Sequence, residues 1–144
     1  MFLGTHQPKL DEKGRFFLPA KFREELAEGL VISRGQDHCL TIYPEAAFAE
    51  IARQMASGPS TVKQVRDFQR MLAAGASNEV PDKQGRVTIP PQLRRYAGLD
   101  KEIVVVGAID RVEIWDAAAW EKYSTEQESV FAEMNDEVFP GLTQ

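Results

Sequence analysis

The nine residues DEKGRFFLP at 11–19 return as DKQGRVTIP at 82–90. Each has Asp, three residues, Arg, then an apolar run closed by Pro. A duplication of this kind within 144 residues points to a fold assembled from two like pieces. The match extends well past the nonapeptide. At an offset of 71, Asp11 meets Asp82, Gly14 meets Gly85, Arg15 meets Arg86, Leu18 meets Ile89, Pro19 meets Pro90 and Phe22 meets Leu93. After one residue is gained the offset is 72, and Gly35 meets Gly107, Leu40 meets Val112, Ile42 meets Ile114, Tyr43 meets Trp115 and Phe48 meets Trp120.

The two copies share one local reading. Gly14 and Gly85 supply the positive φ of a tight turn, so Lys13-Gly14 and Gln84-Gly85 mark hairpin tips. Phe16 and Leu18 flank Phe17, and Val87 and Ile89 flank Thr88, which is the alternation of a strand. Pro19 and Pro90 suit the first turn of a helix, whose apolar face is Phe22 and Leu26, or Leu93 and Ala97. Buried strands follow at Leu30–Ile32 and Ile103–Val106. Each copy then makes a Gly-containing turn, a strand ending at Tyr43 or Trp115, and a helix beginning near Glu45 or Ala117. The predicted organisation is a first unit at 1–50, a helical connector at 51–76, a second unit at 77–122 and an acidic C-terminal helix or tail at 123–144. A unit of roughly 45 residues buries its own apolar faces poorly, so the two should pair as a pseudo-dimer around one barrel-like core. The fold class is α+β, mainly β. Within the connector, Val62, Val65, Phe68, Met71 and Leu72 keep helical spacing and predict a packed helix. Phe2, Trp120, Tyr123 and Phe131 are candidates for interface or core, with Trp120 assigned to the core.

Composition narrows the setting. The chain is 43% hydrophobic and 27% charged, as in soluble globular proteins. No apolar run approaches the ~18 residues of a membrane helix. MFLGTHQPKL lacks the basic and apolar regions of a signal peptide, and the single Cys39 suits a reducing compartment, so the cytoplasm is expected. The net charge is −5, yet residues 110–144 hold nine acidic and two basic side chains, leaving residues 1–109 at +2. The tail reads as a solvated acidic helix that can also limit indiscriminate attraction to DNA.

MFLGTHQPKLDEKGRFFLPAKFRE, GQDHCLTIYP, DKQGRVTIPPQLRRYAGL and VEIWD together closely resemble the MraZ family over nearly the whole chain. The resemblance implies a pseudo-symmetric swapped-hairpin barrel of the AbrB, double-psi type, with peripheral helices. It implies ring-shaped homo-oligomers, and a transcriptional regulator of the division and cell-wall gene cluster, its own gene included, associated with the nucleoid. The implied partner is double-stranded promoter DNA carrying G-rich direct repeats. The implied contacts are Arg15 and Arg86, supported by Asp11 and Asp82. Lys13 becomes Gln84 in the second copy, so the two tips differ in electrostatic attraction.

The residues lead the same way on their own. An Arg fork on a rigid turn matches O6 and N7 of guanine, and a good bidentate pair gives about 1–3 kcal/mol of discrimination. Asp four residues earlier can hold that fork in one rotamer; it can equally be an ordinary surface ion pair of little energetic value. Gly14 and Gly85 permit the turns. Lys9, Lys13, Lys21 and Arg23 surround the first motif, and Lys83, Arg94 and Arg95 the second, with Gln84 at its tip a further candidate DNA contact. Phosphate contact and simple solubilisation both account for the basic side chains. Two Arg tips on one acidic chain bind weakly, so multimers should add avidity, and head-to-tail subunits suit direct repeats.

Two other classes rank lower. For an enzyme, His38 and Cys39 point to opposite faces of an alternating strand and make no nucleophile–base pair. His6 is the only other His, and no phosphate loop, H-E-x-x-H or C-x-x-C is present. Neither a catalytic residue, a metal site, a cofactor nor a small-molecule substrate is expected. The second alternative is an oligomeric interaction module or an antitoxin-like AbrB relative. It would use Glu121, Glu126, Glu128, Glu133, Asp136 and Glu137 to dock a basic partner.

Overall fold

Two matching series of elements make up the computed structural model, which describes residues 1–135 and 137–141. The first holds β1 (Thr5–His6), β2 (Arg15–Phe17), α1 (Ala20–Leu26), β3 (Leu30–Arg34), β4 (Leu40–Pro44) and α2 (Glu45–Ala56). The helix α3 (Lys63–Gly75) leads to the second. There follow β5 (Ser77–Glu79), β6 (Arg86–Thr88), α4 (Pro91–Tyr96), β7 (Ile103–Gly107), β8 (Val112–Asp116) and α5 (Ala117–Ala132). Among the described residues this is a mixed α+β fold of eight strands and five α-helices, with sheet at its centre.

Six strands form one sheet in the order β1-β7-β8-β4-β3-β5. Its middle is two antiparallel hairpins, β3–β4 and β7–β8, joined where β4 lies against β8 in the register Leu40–Ile114 and Ile42–Val112. The edge strands cross over. β1 of the first half pairs with β7 of the second, and β5 of the second half pairs with β3 of the first. β2 and β6 form a separate antiparallel ribbon, with Arg15 opposite Thr88, Phe16 opposite Val87 and Phe17 opposite Arg86.

This corrects the expectation of local hairpins at the glycine turns. The turns exist: the Asp11 N–H donates to the Arg15 carbonyl at 2.8 Å, and the Asp82 N–H to the Arg86 carbonyl at 2.9 Å. The strands entering and leaving each turn, however, find their ladders in the other half. Strands of two or three residues form too few bonds to hold an isolated hairpin, whereas pairing across halves also closes a common core.

That core draws on both halves. Phe16, Leu18, Phe22, Leu26, Leu30, Ile32, Leu40 and Ile42 pack in one cluster with Val87, Ile89, Leu93, Ile103, Val105, Val112 and Ile114. The short helices turn in the faces that their four-residue spacing predicts: Phe22 and Leu26 of α1 are buried, as are Leu93 of α4 and Ala97 just after it. Pro19 and Pro90 sit one position earlier than expected, at the N-caps, with ψ of 136° and 147°; Pro91 occupies the first helical position. Both prolines still fit, because an N-cap is extended and its own N–H is not part of the helix. Ser33, buried on β3, is satisfied by a 2.8 Å hydroxyl–hydroxyl bond to Thr41 on β4.

The aromatic candidates divide. Phe2 is core, its ring edge-on to Phe22 at 5.3 Å between centroids. Trp120 is half-buried, in contact with Trp115 and Tyr123, while Tyr123 itself and Phe131 are exposed. On α3, Val65 and Leu72 are half-buried, but Phe68 and Met71 are exposed, as is Val62 at the extended N-cap just before the helix, so the predicted apolar stripe is covered on one side only. The acidic Glu121, Glu126, Glu128 and Glu133 lie exposed on or just past α5, and Glu137 is exposed beyond it; Asp136 lies outside the described residues.

Because β5 and β7 take ladder partners from the first half, residues 77–144 expressed alone should lose both. We expect such a fragment to show no cooperative thermal transition by circular dichroism, while the full chain melts cooperatively.

Candidate nucleic-acid interface

The β2–β6 ribbon has one inward and one outward face. Phe16 and Val87, both 1% exposed, enter the core. Alternation therefore turns Arg15, Phe17, Arg86 and Thr88 outward together. Arg15 lies opposite Thr88 and Arg86 opposite Phe17, so the two arginines are diagonal neighbours, about 7–8 Å apart by ladder geometry.

The turn before each strand holds its arginine. Oδ1 of Asp11 accepts the N–H groups of Lys13 and Arg15, both at 2.9 Å, and Oδ2 accepts Nε of Arg15 at 2.8 Å. Oδ1 of Asp82 accepts the N–H groups of Gln84 and Arg86, again at 2.9 Å, and Oδ2 accepts Nε of Arg86 at 2.7 Å. The spacing D-x-x-x-R is thus a physical requirement: one carboxylate both closes the turn and orients the guanidinium. Bonding through Nε leaves the Nη groups of both arginines without a hydrogen-bond partner among the described residues. The side chains of Arg15 and Arg86 are 28% and 26% exposed, neither enclosed nor free-swinging. Chiefly the backbone N–H of Arg15 or Arg86, with the guanidinium bond added, holds each carboxyl below its ordinary value.

The remaining predicted residues are placed unequally. Lys13, Gln84 and Lys83 are exposed on the two turns. Lys9 is set apart, its ammonium 3.7 Å from Glu102. Gly14 and Gly85 are buried and adopt φ of +79° and +81°. The turns also differ in anchorage. The Leu10 N–H donates to the Lys101 carbonyl at 2.8 Å, whereas the matching position, Pro81, has no N–H to donate. Phe17 and Thr88 were not singled out as site residues, although both stand on the outward face; the alternation around Phe16 and Val87 was the signal for them.

His38 and Cys39 do not lie on a strand, contrary to expectation. They close a short 3-10 segment, Gln36–His38, before β4, where Asp37 and His38 have positive φ. His38 is exposed and stacks on Tyr96 of α4. Cys39 is buried, its thiol donating to the Gln36 carbonyl, and burial, with the charges of Glu113 and Asp37, pushes that thiol up to about 12. At neutral pH it is a thiol rather than a nucleophilic thiolate. Among the described residues no group of three or more His, Cys, Asp or Glu gathers where it could hold a metal ion, and no helix is long and apolar enough to cross a membrane.

Two predictions follow from the turns. Gly14→Ala and Gly85→Ala should each destabilise by about 1–2 kcal/mol, seen as a lowered thermal midpoint, because an L side chain is strained at that φ. The carboxyl shifts fix the sign of an acid effect. The folded pKa is depressed, so the clamp contributes fully above the unfolded value and is lost as pH falls through the lower folded one. In a carboxyl-carbon NMR titration, Asp11 and Asp82 should still be mainly ionised at pH 3.8, the ordinary midpoint.

Comparison with known proteins agrees with this architecture. The family model described as "MraZ protein, putative antitoxin-like" matches the chain twice, over residues 1–71 and 72–139. The transcriptional regulator MraZ of Cutibacterium acnes is 73% identical over 139 residues, covering 96% of this chain and 98% of that protein. Those of Kocuria rhizophila and Thermobifida fusca are each 58% identical over 142 residues, covering 99% of both chains. Two matches to one family model and near-complete coverage of these relatives place this chain in the MraZ family.

Proposed function

We propose that this chain is a sequence-specific DNA-binding transcriptional regulator that reads base edges with Arg15 and Arg86. The observation that carries this reading is the pair of outward guanidiniums on one ribbon, each oriented by its own Asp through Nε. A two-stranded ribbon is narrow enough for the major groove, where a free Nη edge can meet guanine O6 and N7. Lys13, Lys83 and Gln84 flank the groove-facing surface as backbone contacts, and Gly14 and Gly85 shape it. Lys9 is the least suited of the set, because Glu102 already faces it. The names of the relatives support the regulatory role.

The finer reading is a nucleoid-associated cytoplasmic regulator of the division and cell-wall gene cluster, including its own gene. It binds G-rich direct repeats as a ring-like homo-oligomer, since repeated copies of the ribbon supply the avidity that one chain lacks. Crossed pairing of β1 and β5 supports a swapped-hairpin barrel, with residues 1–50 and 77–122 as its two units, 51–76 as connector and 123–144 as an acidic appendage. Exposed Val130 and Phe131 on α5 favour the competing reading, an interaction module or antitoxin-like protein.

Binding to DNA from upstream of the protein's own gene, footprinted at several salt concentrations, separates the two. Arg15→Ala and Arg86→Ala should each weaken specific binding by about 1–3 kcal/mol, roughly five- to 150-fold, with thermal melting unchanged. Equal affinity for that DNA and for a scrambled duplex, or variants that bind as wild type, would favour the interaction module.

A further inference from the structure

We infer that Arg23 and Arg94 are positioning residues that act across the two halves, each bracing the glycine turn on which the other half's Asp–Arg pair is built. The crossed pairing of the ribbon makes this possible. Beyond β2 the Leu18 N–H donates to the Gly85 carbonyl at 2.9 Å, and beyond β6 the Ile89 N–H donates to the Gly14 carbonyl at 2.8 Å. Each short helix therefore starts beside the other half's turn.

Arg23 of α1 and Arg94 of α4 fill the space above those turns. A Cβ on Gly85 would stand 2.7 Å from Nε and 2.8 Å from Cζ of Arg23. A Cβ on Gly14 would stand 2.7 Å from Cζ and 2.9 Å from Nε and Nη1 of Arg94. The guanidiniums thus rest where any other residue would carry a side chain, and both glycines are buried beneath them. A planar, weakly hydrated guanidinium suits such contact better than an ammonium does. By covering the turns it shields the bonds from Gly14 N–H to the Asp11 carbonyl (3.0 Å) and from Gly85 N–H to the Asp82 carbonyl (2.9 Å). Those bonds set the carboxylates that orient Arg15 and Arg86.

The two braces are unequal. Nε of Arg23 donates to the Leu18 carbonyl at 3.0 Å, while Nε of Arg94 is buried with no partner among the described residues. The first turn has the additional tie from Leu10 to Lys101, which the second lacks. The second turn should therefore depend more on Arg23 than the first does on Arg94.

Hydrogen-exchange mass spectrometry on the full-length protein tests this. Arg23→Ala should speed exchange of the amides at 84–86 by about tenfold and leave 13–15 unchanged, and Arg94→Ala should do the reverse with a smaller effect. Arg23→Lys and Arg94→Lys keep the charge and stem but lose the planar face. They should show the same crossed pattern in weaker form, and they serve as the test if an alanine variant fails to fold. Equal acceleration in both turns, acceleration only in the variant's own half, or no change in exchange overturns the proposal. Unchanged exchange with a salt slope of DNA binding reduced by about one identifies a direct phosphate contact instead. The consequence for DNA rests on the function proposed above, and is read as a fall in affinity for the upstream duplex. If Arg15→Ala and Arg86→Ala bind that duplex as wild type, the DNA reading fails, whereas the crossed exchange pattern is judged without DNA.

Discussion

A strand of three residues offers only a few backbone hydrogen bonds, and β2 and β6 take their ladder bonds from one another. Their inward residues, Phe16 and Val87, belong to the common core, and their outward residues include both arginines held by Asp. Separating the two strands would open the interior and displace both guanidiniums at once. Burial of a large apolar side chain is worth about 1.5–3 kcal/mol, well above what an exposed ion pair contributes. The ribbon is therefore held in place by Phe16, Val87 and their neighbours Leu18 and Ile89, not by the charges it displays. The Asp–Arg pairs act on orientation: they select which edge of each guanidinium remains open.

Charge works at a similarly local scale. A chain of net charge −5 is an unpromising ligand for a polyanion. Screening, however, limits the reach of exposed charges to about 10 Å at 0.1 M salt, so the immediate surroundings of the ribbon weigh more than the total. Around it stand Arg15, Arg86, Arg23, Arg94, Lys13 and Lys83, against Asp11, Asp82 and Glu12. Much of the acidity is carried instead by α5 and the residues after it. Cys39 and Tyr96 tell a different part of the story. Only Tyr96 ties the halves together: its hydroxyl on α4 donates to the Gly35 carbonyl between β3 and β4, whereas the Cys39 thiol bonds to the Gln36 carbonyl within that same loop.

Much of this was readable residue by residue. Phe22 and Leu26 at helical spacing, Leu40 and Ile42 at strand spacing, and Gly14 and Gly85 at the turns all lie where their local preferences put them. The Asp-to-Arg interval was legible because both ends of the contact fall within one turn. Other features were not. Phe2 enters the core through an isolated bridge to Ile109, 107 residues away, which no local pattern can signal. The stripe on α3 was visible, but whether Val62, Phe68 and Met71 were covered depended on what lay opposite. His38 and Cys39 looked like part of a strand until the positive φ of Asp37 and His38 bent the chain before β4.

The sequence alone determined that the chain is built from two similar halves, where its turns and helix faces fall, and which Asp would meet which Arg. These depend on φ preferences and on contacts a few residues apart, which composition and spacing encode directly. Tertiary structure alone decided that the strands around each glycine turn would pair with the opposite half, that both arginines would share one face, and that Arg23 and Arg94 would lie over each other's turns. Those outcomes depend on which of several compatible edges two short strands adopt. That choice follows from the free energy of closing one interior, a property of the whole chain rather than of any window within it.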